Sequence, residues 1–299
     1  MTNEFKFTVT DANIFEGYYF KHVSDEITIS FIVGISTFKD DRHCFIQVIC
    51  NNPFMSKYFR FDINEIIIYN NPFKIQIKNN IFTEEGIKVD LDNINCDFNY
   101  GKLHRIKNIM GPFRFLPKMQ CIHGIVSMNH EVSGNLSINN KMYLFNNEKG
   151  YIEKDLGCSF PKHYIWVQSN NFKKVDSLFL SIADIPYLKY QFNGIIVNLI
   201  YKNKEYRIAT YKFGKYSLKL INDDIKITFK QKNIRLELVV HINKASELVA
   251  PNKGQMNKII KEGLDGEIHL KLYEDNKLIV SDYSNRAAIE CVEVEKLKK

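Results

Sequence analysis

Hydrophobic and polar residues alternate with the period of a β-strand along most of this chain. Ile75 and Ile77, then Ile87, Val89 and Leu91, flank a polar run at Thr83-Glu84-Glu85-Gly86. Further on, Ile225, Ile227 and Phe229 face Ile234, Leu236 and Leu238 across Gln231-Lys232-Asn233. Each pair of arms predicts a hairpin, and hairpins in succession make a meander. Meanders of this length close into barrels, because closure removes exposed strand edges. Helical spacing is scarce. It predicts one short helix over about 255–263, where Met256, Ile259 and Ile260 share a face and Gly263 ends the turn.

A length of 299 residues favours two domains over one large barrel. The best boundary is the stretch from Asn108 through Gly111-Pro112 to Leu116-Pro117, where two prolines exclude a central strand. The predicted domains are therefore 1–118 and 119–299, both all-β with few short helices.

Composition adds cores and a cavity-forming inventory. Hydrophobic residues make up 45%, enough for real cores, and 22 Phe, 16 Tyr and 1 Trp suit both strands and the walls of apolar sites. The net charge of +7 is spread over strand faces and turns, as at Lys202, Lys204, Lys212, Lys215 and Lys219. Nucleic-acid binding, which needs basic residues gathered on one face or a recognisable module, is not predicted. Residues Met1 to Asp11 lack the basic and apolar regions of a signal peptide. Ile27 to Ile35 is too short to span a bilayer, so no integral membrane segment is expected, and peripheral membrane contact stays open. Six dispersed cysteines without a CxxC pair fit reduced thiols and a cytoplasmic location. Hydrolase, zincin and nucleotide-binding motifs are missing, and neither cofactor nor metal is expected. The sequence gives no oligomeric state.

The most informative stretch runs from Gly150 to Phe172. As a strand, its first part puts Tyr151, Glu153 and Asp155 on one face and Ile152 and Lys154 on the other. After the 157–161 turn, Tyr164, Trp166, Gln168 and Asn170 share a face opposite Ile165 and Val167. A mixed aromatic and amide face would point into a ligand-holding barrel. The plainer account makes Trp166 core, the amides turn caps, and Glu153 half of an ion pair with a lysine or arginine. His123 and His130 fall on opposite faces of a regular strand, which argues against a shared metal. Packing is likewise the ordinary role of Tyr18-Tyr19-Phe20.

The string from Gly150 through Tyr151-Ile152-Glu153-Lys154-Asp155-Leu156-Gly157 to Pro161, followed by Trp166, Gln168, Asn170 and Phe172, resembles the signature of the tocopherol cyclase family. Phe15-Glu16-Gly17-Tyr18-Tyr19-Phe20-Lys21 looks like the family's opening motif. His123, Ser127-Met128, His130 and Gly134 match its pre-signature strand, and Ala250-Pro251, Gly254 and Met256 its C-terminal turn. The chain departs from the pattern at Tyr18, Leu156 and Tyr164, where the family usually carries tryptophan.

The resemblance implies two lipocalin-like β-barrels, akin to carotenoid hydratases, with a hydrophobic small-molecule ligand in or between them. It implies an isomerase that protonates an alkene of a prenylated quinol and lets a phenol oxygen capture the cation. A carboxylic acid kept neutral in an apolar pocket can give such a proton, which makes Glu153 and Asp155 the candidate acids. Tyr151, Tyr164 and Trp166 are the candidate cation-stabilising walls, and Gln168, Asn170, Tyr19 and His123 complete the candidate substrate site. The alternatives are a non-catalytic carrier of a lipid or pigment in the same fold, and an interaction protein with filled barrels.

Overall fold

The computed structural model describes residues 12–116, 119–187 and 190–297. Met1 to Asp11, and Pro117 and Lys118 at the expected boundary, lie outside the described residues.

The first sheet is built from β1 (Phe15–Val23), β2 (Thr28–Ser36), β3 (His43–Asn51), β4 (Phe54–Asp62), β5 (Ile66–Asn70), β6 (Phe73–Ile77), β7 (Asn80–Thr83), β8 (Gly86–Leu91), β9 (Ile94–Tyr100), β10 (Cys121–Ile138) and β11 (Lys141–Gly157). Their spatial order is β4-β3-β2-β1-β11-β10-β9-β8-β7-β6-β5, so the chain's early and late strands meet at β1 and β11. The second sheet follows with β12 (Tyr164–Ser169), β13 (Ser177–Tyr187), β14 (Tyr190–Tyr201), β15 (Lys204–Ala209), β16 (Lys215–Ile221), β17 (Asp224–Gln231), β18 (Ile234–His241), β19 (Ser246–Asn252), β20 (Gln255–Glu274) and β21 (Lys277–Val292). Its order is β15-β14-β13-β12-β21-β20-β18-β17-β16, with β19 paired to β20. The pairings among the described strands are antiparallel. The hairpin predicted around Gln231-Lys232-Asn233 forms as β17 and β18, whereas Ile75 and Ile77 do not pair with Ile87 to Leu91: β7 lies between them and is itself the arm that turns into β8 at 83–86. The fold is all-β, two lipocalin-like barrels, and among the described residues the helical elements are short 3-10 turns.

Asparagine-rich dipeptides close several hairpins. Asn139-Asn140, Lys202-Asn203 and Asp275-Asn276 each hold both residues at positive φ, between 50° and 66°. That is the two-residue turn whose twist matches paired strands, and asparagine tolerates it better than most residues.

Each barrel has its own apolar interior. In the first, Tyr18, Phe20, Phe31, Val33, Ile46, Val48 and Ile152 pack with Phe73, Phe82 and Phe98. In the second, Ile165, Val167, Leu180, Ile182 and Val197 pack with Phe229, Leu238, Leu270 and Ile289. Each such side chain contributes about 1.5–3 kcal/mol on burial.

The chain forms two compact units, and the expected boundary at 118/119 falls next to a passage between them at 120/121. One comprises 1–108, 121–160 and 249–258, and the other 109–120, 161–248 and 259–299. The prolines do interrupt the strand pattern there, but β10 hydrogen-bonds to β9 and β11 to β1, which keeps residues 121–157 in the first sheet. Residues 249–258 are held to the first unit by polar clamps. The Val249 N–H donates to Gln47 Oε1 at 2.8 Å, and Ser36 Oγ donates to the Gly254 carbonyl at 3.1 Å. One expectation is corrected: 255–263 is not helical but the start of β20. Three apolar residues offer a lone helix little to bury, whereas a strand here satisfies its backbone against β19 and β21. Gly263 ends no helix; it sits at a register shift between β20 and β21.

Candidate active site

In the first unit, β11 alternates as its sequence requires. Ile152 enters the barrel core, while Tyr151, Glu153 and Asp155 stand on the opposite face of the sheet. That face is also buried: Tyr151 is fully covered and Glu153 is 5% exposed. Lys154, on the core side, does not neutralise Glu153. It pairs with the fully buried Glu16 and lies 5.2 Å from the ring centre of Tyr18.

The partner of both candidate acids is His123. Register places it directly across from Asp155, and Ile125 across from Glu153. His123 Nδ1 donates to Asp155 Oδ1 at 2.6 Å, and its Nε2 lies 3.4 Å from Glu153 Oε2. Both ends of the set are capped by donors. Tyr151 Oη donates to Glu153 Oε2 at 2.6 Å, and Cys121 Sγ donates to Asp155 Oδ1 at 3.3 Å. Burial opposes charge on His123, but Asp155 and Glu153 together outweigh it and hold the imidazole well above its ordinary range. Burial and Glu153 push the Tyr151 phenol up, and burial and Asp155 push the Cys121 thiol up, so both stay protonated donors. On the neighbouring strand Tyr19 stands across from Glu153, its ring edge-on to Tyr151 at 6.5 Å, and the buried Lys21 stands across from Tyr151. Glu153 and Asp155 therefore share one sheet face with His123 and Lys21.

In the second unit, Tyr164, Trp166 and Gln168 alternate with Ile165 and Val167. The expectation that the aromatic and amide face would point into its barrel is corrected: Ile165 and Val167 fill the core, and Trp166 stands on the other face. Branched aliphatic side chains already pack that interior, where amides would lose water without gaining enough partners. Trp166, Gln168 and Asn170 are nonetheless buried. Tyr164 Oη donates to Glu290 Oε2 at 2.7 Å. Glu290 lies across from Trp166 on one side and across from Glu262 on the other, the two glutamates being 9% and 1% exposed.

A family model described as tocopherol cyclase-like matches residues 91–292, which takes in both carboxylate clusters and the Gly150 to Phe172 stretch. The chain belongs to the tocopherol cyclase-like family. Solved structures share the fold at low identity. CghA in complex with Sch210972 matches with a TM-score of 0.61 at 6% identity, covering 93% of this chain and 88% of that one. Kievitone hydratase from Nectria haematococca gives 0.57 at 10% identity, covering 93% and 88%. A Nitrosomonas europaea protein assigned as an AttH gives 0.58 at 10% identity, covering 94% and 93%. Among curated proteins, none matches significantly.

Within this tocopherol cyclase-like chain, the structure gathers Tyr19, His123, Tyr151, Glu153 and Asp155 in one unit. It sets Tyr164 and Trp166 at Glu290 in the other, with Gln168 across from Ala288 and Asn170 buried just past the end of β12. Alternation alone missed Glu16, Lys21, Glu262 and Glu290. The first two lie in the aromatic opening motif, where packing was the ordinary reading. Glu290 comes near Tyr164 only across 126 positions, a distance no local spacing encodes. His130 is separate from His123, as the alternation argued. It hydrogen-bonds Ser127 Oγ at 3.0 Å and packs on the Tyr100 ring. Among the described residues, His123, Glu153 and Asp155 are also close enough for a cation, their ligand atoms lying within 4.8 Å. Both imidazole nitrogens already face a carboxylate, so a metal there would displace one of these pairings.

Proposed function

We propose that the first-unit cluster is the acid–base centre of an isomerase that closes a ring on a prenylated quinol or a related apolar polyene. The observation that carries this reading is the chain Cys121–Asp155–His123–Glu153–Tyr151, buried at its Glu153–Tyr151 end, half-buried at the other, and connected end to end on one sheet face. Ring closure consumes no proton overall. One is added to an alkene carbon, the phenol oxygen bonds to the resulting tertiary cation, and the phenol proton is then lost. Such a reaction needs a donor and an acceptor in communication, and a continuous carboxylate–imidazolium–carboxylate set provides both. Glu153 and Asp155 keep the roles that their face suggested, with the proton held jointly with His123 rather than on a lone carboxylic acid. The rings of Tyr19 and Tyr151 beside the cluster favour a developing cation by about 2 kcal/mol once water is excluded.

The experiment uses geranylhydroquinone as probe, with product followed by chromatography. Glu153→Gln and Asp155→Asn, made separately, are each expected to lower turnover about 10²-fold or more while leaving probe binding measurable. Full turnover in both variants would remove them as acids. Binding by the wild-type protein without turnover would favour the carrier reading.

A further inference from the structure

We propose that Gly17 sets the substrate specificity of this site: its missing side chain leaves the gap beside Asp155 in which the reacting end of the substrate lies. The inference rests on the prenylated-quinol reading above and adds a place for the substrate.

A row of directly opposed residues crosses the sheet at the level of Gly17. His123 on β10 faces Asp155 on β11, Asp155 faces Gly17 on β1, Gly17 faces Gly34 on β2, and Gly34 faces Phe45 on β3. Directly opposite residues in antiparallel strands project to the same side, so the acid–base pair ends in two consecutive positions without side chains.

The two glycines are there for different reasons. A Cβ on Gly34 would meet the Glu16 carbonyl oxygen at 2.6 Å and the Phe45 ring at 2.8 Å. Gly34 is thus required by packing, and the Phe45 ring covers it. A Cβ on Gly17 would meet nothing nearer than 3.6 Å, the Val33 carbonyl oxygen, followed by Gly34 Cα and Ile32 Cγ2 at 3.9 Å. Gly17 is also absent from the positive-φ positions. Neither sterics nor backbone conformation calls for glycine at Gly17, and glycine weakens a strand interior. Yet β1 is buried from end to end. A buried, unstrained position with room for a methyl group, left empty next to the catalytic pair, is explained by a ligand that uses the room.

The surroundings fit an unsaturated, flat group. Along β1, the same-face neighbours of Gly17 are Phe15, whose ring packs edge-on to Phe160 at 5.3 Å, and Tyr19. Phe45 closes the far side and Asp155 with His123 the near side. An alkene laid over Gly17 would have the proton source at one end and aromatic rings around the cation it becomes.

The test compares wild type, Gly17→Ala and Gly17→Val by thermal unfolding, by calorimetric titration with geranylhydroquinone and by turnover of the same probe. The expected result is an unchanged or higher melting temperature for Gly17→Ala, with KM and Kd raised about tenfold or more and kcat less affected. Gly17→Val is expected to bind more weakly still. Should the valine variant fail to fold, the alanine variant carries the test, since its methyl meets only ordinary contacts. Wild-type affinity and KM in a folded Gly17→Ala protein would overturn the assignment of Gly17 alone. A wild-type protein that neither binds nor converts the probe would overturn the prenylated-quinol reading and the Gly17 assignment together.

Discussion

Replacing His123 with glutamine is expected to lower turnover of a prenylated quinol by about 10²–10⁴-fold, the usual worth of a positioned acid–base group. The same change is expected to lower stability. His123 lies between Asp155 and Glu153, and burial is tolerated there because the imidazolium offsets both charges. Removing one member of a buried ion pair costs about 3–5 kcal/mol. The loss here is set below that range, because the His123 and Asp155 side chains keep 17% and 16% of their exposure. A double variant, His123→Gln with Asp155→Asn, separates the two effects. It removes a charge of each sign, so melting temperature is expected to recover part of the loss while turnover stays low. Calorimetry and a turnover assay read both quantities, and wild-type turnover in the single variant would exclude His123 from the chemistry. The stability His123 contributes has a definite pH window. Its folded pKa is raised, so the contribution is full below the unfolded value near 6.5 and fades as pH rises toward the folded one.

A pair of histidines elsewhere in the first sheet produces the opposite trend. Across β11, His130 and His22 both stand opposite Gly150, one on each neighbouring strand. His22 Nε2 is 2.7 Å from Tyr100 Oη, and the His130 ring packs on the Tyr100 ring at 4.6 Å. Burial lowers the His22 pKa well below its ordinary value, with His130 adding repulsion, and burial takes His130 down to about 3. Both rings are therefore folded as neutral imidazoles. Above pH 6.5 this has no effect on stability, because the unfolded chain's histidines are neutral too. Below it, the unfolded chain takes up protons that the folded chain refuses, and stability falls as pH drops toward the folded values. The slope is at most about 1.4 kcal/mol per pH unit for each histidine. Urea unfolding is expected to show a marked loss between pH 6.5 and 4.5, and His130→Leu is expected to flatten that slope by about one proton. An unaltered slope in the variant would show that His130 titrates normally. Gly150 belongs to the same device, since a Cβ there would lie 2.2 Å from His130 Nε2. Gly150→Ala is accordingly expected to cost about 1–3 kcal/mol through overpacking.

The candidate site was legible in part. The shared face of Tyr151, Glu153 and Asp155 follows from three positions two apart, and β11 obeys it. The histidine between the carboxylates was a candidate for a ligand wall, not for the proton-holding partner, because it is 32 positions from Asp155. Lys154, next in the chain to Glu153, points to the other face and pairs with Glu16. The helix predicted over 255–263 failed because a few apolar residues at helical spacing do not outweigh pairing on both sides of β20.

By itself, then, the sequence determined the strands, the hairpin around Gln231-Lys232-Asn233, the family and the sets of side chains that share a face. All of these are local, being set by the pleat of the strand and by turn residues such as Asn139-Asn140. Only the tertiary structure decided which face enters the core. Alternation distinguishes two faces but does not say which is covered, and in β1, β12 and residues 150–153 of β11 both are buried. Trp166 was placed on the wrong side for that reason. Which residues stand opposite Asp155, Glu153 and Trp166 is a matter of strand order and register. Those depend on the summed packing of the whole sheet, so His123, Gly17 and Glu290 took their places only when the strands were paired.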